Sequence, residues 1–401
     1  MAKAKKDTRP ALNFKSTKQW ELHQLNEIAI FNPKDMLPAI FEYVDLESVV
    51  GTQIVSHRTE NRDSAPSRAQ RVAKYGDIFF QTVRPYQKNN CLFEIDDGKQ
   101  YVFSTGYDQI RSNMDGYFLL SLFQYDKFVK KVLEKCTGTS YPAINSDDLS
   151  KITVGIPSDS RLQKKLGAFF RQLDALIAHA TQKHEKLIRL KAAMMQKMFP
   201  CKGEDVPALR FGCFQRKWTK RKLGDIASPI KEKNKDNLPY ESYSISNEGG
   251  FIPQNIKFEN GGSMAMADKR MYYIVPQNAF AYNPARINIG SIGYQTVGKD
   301  VIVSSLYEVF ITSSNVNDRF LWHWFHSENF KKMVLKYQEG GVRLYFFYDK
   351  FCQCDILLPS YEEQGKIGML LDSLDTLITL QQKRLTKLKN IKSALLRKMF
   401  I

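Results

Sequence analysis

The sequence is short of acid. Its 42 Asp and Glu residues stand against 59 Lys and Arg, a formal net charge of +17. A chain this basic repels itself unless it meets an anionic partner, and nucleic acid is the commonest one. Cysteine is scarce too. The six residues are Cys91, Cys136, Cys201, Cys213, Cys352 and Cys354, and only the last two are close, as a C-x-C. No second pair stands at zinc-site spacing, so the spacing supports neither a disulfide framework nor a zinc module. The thiols read as buried groups or idle surface groups. Long apolar runs are missing. No stretch of about eighteen apolar residues exists, which excludes a transmembrane helix by pattern. Met1–Trp20 is basic without an apolar centre and reads as no secretory signal. The expected location is the cytoplasm, with no membrane partner.

Signatures of chemistry are missing as well. Gly293–Lys299 has the outline of a phosphate-binding loop, but Asp300 stands where Ser or Thr would hold magnesium. It reads as a hairpin turn. Asn283-Pro284-Ala285 lacks the second Pro and the aromatic residue of an adenine methyltransferase signature. His323 and His326 lie in an aromatic helical pattern, LWHWFH, with no third ligand in view, and read as packing. No nucleophile–base set and no paired carboxylates stand out. The chain reads as non-catalytic, with no metal and no cofactor of its own.

What is present is a repeat. The 401 residues are too many for one ordinary core, and 43% hydrophobic residues suffice for two packed units. Ala11-Leu12-Asn13-Phe14 followed by Trp20 recurs as Ala208-Leu209-Arg210-Phe211 followed by Trp218. WELHQLNEIA (20–29) answers WTKRKLGDIA (218–227), and Ile156-Pro157-Ser158 answers Leu358-Pro359-Ser360. Residues 173–199 align without gaps on 374–400, with 11 of 27 positions identical, ending in a shared Lys-Met-Phe. Composition alone does not place that run in register, so the chain is a duplication.

The repeated segments are helical. Leu166, Phe170, Leu173, Ile177, Ala180, His184, Leu187, Lys191, Met194 and Met198 alternate steps of four and three. The second copy does the same from Ile367 to Met399. That is the seam of a coiled coil, with polar breaks at His184, Lys191, Gln381 and Lys392. Ser360-Tyr361-Glu362-Glu363 predicts a capping box, and Ser160–Gln163 the equivalent start in the first copy. The simplest packing is an antiparallel pair within one chain. Its 33 residues from Leu166 to Met198 span roughly 50 Å, the length of a ruler between two heads.

The expected organisation is therefore a basic N-terminal segment (1–19), a globular unit (20–157), a central helix (158–200), a connector (201–217), a second unit (218–359) and a C-terminal helix (360–401). The fold class is α/β (α+β). Ile78–Arg84 and Val301–Val303 predict strands, and Phe118–Glu134 and Phe320–Lys336 predict helices. Basic and aromatic residues interleave in loops. Val83–Asn90 pairs with Ala281–Asn288, and Thr137–Tyr141 with Gly340–Tyr345. Arg suits guanine edges, Asn suits adenine edges, and Lys suits phosphate. The candidates are Arg84, Tyr86, Lys88, Asn89 and Thr139 in the first unit. In the second they are Tyr282, Asn283, Arg286, Asn288, Arg343 and Tyr345. Arg216–Lys222, with five basic residues of seven, reads equally as a phosphate contact or as a charged strand edge.

This layout resembles the specificity subunits of type I restriction–modification systems. The matching features are the Trp20 and Trp218 segments, Gly76-Asp77-Ile78 leading to Val83-Arg84-Pro85, and Gly340-Gly341-Val342-Arg343. Most specific is Leu358-Pro359-Ser360-Tyr361-Glu362-Glu363-Gln364, from which the first copy, Pro157-Ser158-Asp159-Ser160-Arg161, departs. The resemblance implies two target-recognition domains, each reading half of a split sequence in double-stranded DNA. It implies two modification subunits that flip and methylate an adenine with S-adenosylmethionine. It also implies restriction subunits that use ATP and Mg2+. The competing reading is a coiled-coil scaffold that grips an anionic protein or nucleic acid without reading sequence. A degenerate methyltransferase stands third.

Overall fold

The structure is a computed structural model, and it describes residues 20–247, 249–258 and 268–400. The expected basic segment 1–19, with Ala11–Phe14, lies outside the described residues. The chain divides into two compact units. One contains residues up to 182 and from 382 onward, and the other contains 183–381.

In the first unit a two-stranded antiparallel ribbon joins Trp20–Gln24 to Thr153–Pro157. Two four-stranded sheets lie between. One has the order Ile30–Phe31, Tyr107–Arg111, Ile78–Gln81, Cys91–Leu92. The other has the order Arg58–Asn61, Ile40–Val44, Tyr101–Ser104, Ala69–Val72, with a parallel pair at its centre. The second unit repeats this plan. Its ribbon joins Thr219–Lys222 to Asp355–Leu358. Its sheets run Ala227–Pro229, Glu308–Thr312, Phe280–Tyr282, Ile292–Tyr294 and Gly250–Pro253, Ser242–Ser246, Val301–Val303, Tyr273–Val275, with the parallel pair in the same place. The duplication seen in the helices thus extends to the interiors of the two units.

Ile78–Gln81 is buried at every position because its sheet is covered on both faces. Ile78 and Phe80 join a helical layer, while Phe79 stacks on Phe103 at 3.5 Å between the sheets. The expected helix 118–134 is two helices, Gly116–Phe123 and Asp126–Leu133, broken at Gln124-Tyr125, where the Tyr125 ring is buried. The expected helix 320–336 likewise divides into Asp318–Phe325 and Glu328–Tyr337. Asn317 and Ser327 each accept backbone N–H groups as N-caps. The break lets both short helices turn apolar faces to one core.

The long helices run Ser160–Lys197 and Tyr361–Met399. In the first unit, Leu166, Phe170 and Leu173 of the central helix share a core with Leu396, Met399 and Phe400 of the C-terminal one. Phe400 lies 6.0 Å from Trp20 and 5.8 Å from Phe170. The second unit mirrors this: Ile367, Leu371 and Leu374 pack with Met198 and Phe199, and Phe199 meets Phe320 at 5.5 Å. The two helix segments within each unit run antiparallel. The Trp landmarks and the shared Lys-Met-Phe are therefore partners in the same two cores. The two lysines at polar seam positions form ion pairs: Lys392 Nζ reaches Asp174 at 2.6 Å in the first unit, and Lys191 reaches Asp375 at 2.5 Å in the second.

The helix starts differ from the expected capping. Ser360 Oγ does accept the Glu363 N–H at 3.3 Å, but the Glu363 carboxylate does not turn back to complete a box. It forms a two-pronged pair with the Arg210 guanidinium, 2.7 Å on each side. In the first copy the cap is Asp159, whose carboxylate accepts the Arg161 N–H, one residue ahead of the expected Ser160. Gln364 Nε2 donates to the Pro359 carbonyl, and Gln163 Nε2 donates to the Pro157 carbonyl. The first copy thus keeps the glutamine latch and lacks only the acid.

Among the described residues, no helix is long and apolar enough to cross a membrane. Arg216–Lys222 contributes its last four residues to the ribbon, where Lys220 and Lys222 share Asp355. Gly293–Lys299 is the end of a strand and a turn into Val301–Val303. Its Gln295 side chain donates to the Val275 and Lys299 carbonyls and fixes the turn.

Candidate nucleic-acid interface

Each unit builds one surface from two loops. In the first, the strand Ile78–Gln81 ends in a 3-10 turn, Pro85–Gln87, flanked by Arg84 and Lys88 in the left-handed conformation. A second loop, 137–143, is closed by paired backbone bonds between Thr137 and Ala143. It docks on the first through Arg84 N–H to the Pro142 carbonyl at 2.7 Å and Ile144 N–H to the Thr82 carbonyl at 3.1 Å. The Arg84 guanidinium then lies over the Tyr141 ring, 4.2 Å from its centre.

The second unit repeats the construction. Glu339 and Tyr345 exchange backbone bonds at 2.8 and 2.7 Å, closing the hairpin 339–345. Phe346 N–H donates to the Pro284 carbonyl at 3.0 Å, docking this hairpin on the loop that carries Arg286. Both hairpins turn on a glycine with positive φ, Gly138 and Gly340. At Gly340 a Cβ would lie 2.1 Å from the Arg343 carbonyl oxygen, so only glycine fits. Strand pairing makes Arg84 and Arg286 equivalent. By the same logic Tyr141 answers Arg343.

These contacts sort the sequence candidates. Tyr86, Thr139, Arg286, Asn288 and Arg343 are exposed, and Arg84 is half-buried beneath its stacking partner. Tyr345 is half-buried, with its ring parallel to that of Phe347 at 5.4 Å. Others are committed to the fold. Lys88 Nζ pairs with Asp126 at 2.5 Å and donates to the Gln124 carbonyl. Asn89 Oδ1 accepts the Gly51 N–H, and Asn283 Oδ1 accepts the Ala285 N–H. Tyr282 is a correction. It is 0% exposed, its ring packs among Phe310, Phe346 and Phe351, and burial pushes its hydroxyl far above its ordinary pKa. It belongs to the core, because its strand is covered on both faces.

Tyr141 ends the loop Thr137–Tyr141 but is not among the sequence candidates. Its signal was its place opposite Arg343 in the repeat. Lys257, on a short helix of the second unit, was missed entirely. Burial lowers its ammonium pKa, and the charge of Arg286 lowers it further. Two cations that repel one another, and that pair with no acid among the described residues, suit an anionic ligand such as a phosphate backbone. His323 and His326 do not face a common ion. His323 Nε2 meets Asp372 at 2.9 Å, and His326 Nδ1 donates to the Trp322 carbonyl. Among the described residues, no three of His, Cys, Asp and Glu are grouped to hold a metal.

Comparison with known proteins adds the following. Residues 215–390 match the type I restriction modification DNA specificity domain. The chain is 26% identical over 163 residues to the type I restriction enzyme HindI specificity subunit of Haemophilus influenzae, a match covering 39% of this chain and 35% of that one. It is 22% identical over 303 residues to the MjaVIII specificity subunit of Methanocaldococcus jannaschii, covering 70% and 68%. The chain therefore spans about a third of the first relative and about two thirds of the second. The solved S subunit of the type I restriction–modification system of M. genitalium shares the fold, with a TM-score of 0.64 at 14% identity and coverage of 98% and 99%. A chain from a structure describing complex assembly and conformational transition of a type I system gives 0.56 at 20% identity, covering 96% and 98%.

Proposed function

From the match of residues 215–390 to the type I restriction modification DNA specificity domain, we propose that the chain is a specificity subunit of this kind and reads a split target in double-stranded DNA. Each unit takes one half-site. The observation that carries this is the pair of braced loops, built on one plan twice (a closed hairpin docked on the loop after the strand) and finished with different exposed side chains. A scaffold that merely grips anions has no use for two equivalent frames with unlike tips.

In this proposal the chain is not catalytic. It presents DNA to two modification subunits, which methylate adenine with S-adenosylmethionine, and to restriction subunits, which consume ATP with Mg2+. In this reading those groups are held by the partner subunits. The protein works in the cytoplasm, where its DNA is. The long helices, 38 and 39 residues, set the unread spacer. A heptad added to both lengthens the pair by roughly 10 Å, and the spacer by roughly three base pairs.

The test is a map of methyladenine across the host genome, with the gene present and deleted. Loss at one motif of the form half-site, spacer, half-site is the expected result. If no motif depends on the gene when the modification subunits are co-expressed, the scaffold reading replaces this one.

A further inference from the structure

The two hairpin tips differ in chemistry. In the first unit the tip offers Thr139, Ser140 and a Tyr141 already covered by Arg84. In the second, Val342 stands fully in solvent and Leu344 is 41% exposed; on the neighbouring loop Ile289 is 58% exposed. Nothing forces these apolar groups outward by accident of disorder. The hairpin is closed by two backbone bonds, docked on Pro284, and held at a glycine that no other residue can replace. A rigid tip that holds branched apolar side chains in water marks a contact surface.

Charge selects the partner. Arg286 and Arg343 are exposed on the same two loops, and the one nearby hairpin acid, Glu339, is paired with Lys350 at 2.7 Å. An acidic polymer that also offers small apolar groups is required. Duplex DNA meets both demands, because the thymine C5-methyl is the apolar group displayed on base edges in the major groove. We propose that the second unit reads thymine methyl groups with Val342 and Leu344, while Arg286 and Arg343 hold the flanking phosphates or guanine edges. The first unit, with its polar tip, reads its half-site by hydrogen bonds. This inference rests on the DNA-reading function proposed above and specifies how one site discriminates.

The experiment uses the full chain with its modification subunits and a duplex carrying the mapped target. Thymines are replaced by deoxyuridine, which removes only the methyl, in one half-site at a time. Wild type, Val342→Ser, and Val342→Ser with Leu344→Ser are compared. The variants change solvent-exposed side chains, and an unchanged melting temperature checks that they fold. Removing methyls from one half-site weakens wild-type binding by about fourfold per methyl, the effect of one apolar carbon leaving a contact. Val342→Ser reduces that loss in the same half-site, Val342→Ser with Leu344→Ser abolishes it, and both leave the other half-site unaffected. A deoxyuridine effect equal in wild type and both variants at both half-sites overturns the proposal. So does a mapped target with no thymine in either half-site. Weakened assembly with the modification subunits at unchanged DNA affinity assigns the tip to a protein contact instead, and also overturns it. If wild type shows no sequence-selective binding at all, the DNA-reading function itself fails, and that result is distinct from the others.

Discussion

One position in the scaffold is solved with charge in the first unit and with hydrocarbon in the second. In the first, Asp77 is 1% exposed and accepts four hydrogen bonds, from the Lys74 N–H, Gln109 Nε2, and Arg111 Nε and Nη2. Asp35 joins through Arg111 and Lys74, and the Lys74 ammonium holds its carboxyl below the usual range. In the second, the same backbone bonds place Pro276 at Lys74, Ala279 at Asp77, Val309 at Gln109 and Ile311 at Arg111. Pro276 has no N–H to satisfy, so its unit needs no acceptor there. The lesson is that the fold requires a filled, satisfied site and is indifferent to how it is filled.

The largest expected effect breaks the charged version halfway. Asp77→Ala leaves the Lys74 N–H unpaired and strips Arg111 and Gln109 down to their remaining bonds with Asp35 and the Val72 carbonyl, and costs about 3–5 kcal/mol of first-unit stability. The triple change Asp77→Ala, Gln109→Val, Arg111→Ile copies the second unit and recovers most of that loss. Hydrogen exchange resolves the units separately and measures both variants. If the triple variant is as unstable as the single one, the two solutions are not interchangeable.

A second comparison concerns pH. His323 is 1% exposed, and burial lowers its pKa to about 4 despite its bond to Asp372. The first unit has Ser121 in that place, donating to the Tyr117 carbonyl within its own helix. Between pH 6.5 and 4 the unfolded His323 binds a proton that the folded one refuses. Stability of the second unit therefore falls as pH drops through that window, by about 3 kcal/mol in all, and does not change above it from this source. His323→Gln flattens the slope. Exchange rates measured from pH 7 to 4 check this, and an equal slope in wild type and variant would refute the assignment.

Much of this was legible in the sequence. The duplication, the seam and its polar breaks were carried by period and identity, which survive because two helices must fit one another. The loops were legible as regions, since turn residues interrupt strand patterns. Individual roles were not. Asn89 and Asn283 have the residue type of a base reader, but their oxygens cap backbone N–H groups a few ångströms away. Tyr282 has the same composition signal as an exposed loop tyrosine, and only the second covering layer of its sheet decides its burial. Glu363 reads as a capping residue until Arg210, far away in sequence, is placed beside it.

The close approach of the long helices to the short ones sharpens the comparison of the two cores. Gly167 and Gly368 occupy equivalent positions. A Cβ at Gly167 would meet the Asp115 carboxylate at 2.0 Å and the Phe118 N at 2.9 Å. At Gly368 it would meet the Phe320 N at 3.0 Å. Asp115 is an N-cap that accepts the Phe118 N–H, so Gly167→Ala displaces a cap as well as overpacking. Its expected cost is about 1–3 kcal/mol. Gly368→Ala needs only a small shift and regains about 1 kcal/mol of helix propensity, so its net cost is smaller. Urea midpoints that rank the two in reverse would show that the units do not pack their helices alike.

The smallest effect distinguishes the two seam pairs. Lys392 and Asp174 are 16% and 14% exposed, and Asp174 also accepts the Tyr117 hydroxyl at 3.0 Å. Lys191 and Asp375 are 25% and 40% exposed. Water screens the second pair more, so its coupling falls in the range of exposed pairs, below about 1 kcal/mol. The first is worth more, because removing Lys392 leaves a buried carboxylate held only by a phenol. Double-mutant cycles with Lys→Met and Asp→Asn at each pair measure the two couplings directly. Equal couplings would mean that the pairs set register by geometry alone, while a larger value at Asp174 ties register in the first unit to the short helix that carries Tyr117.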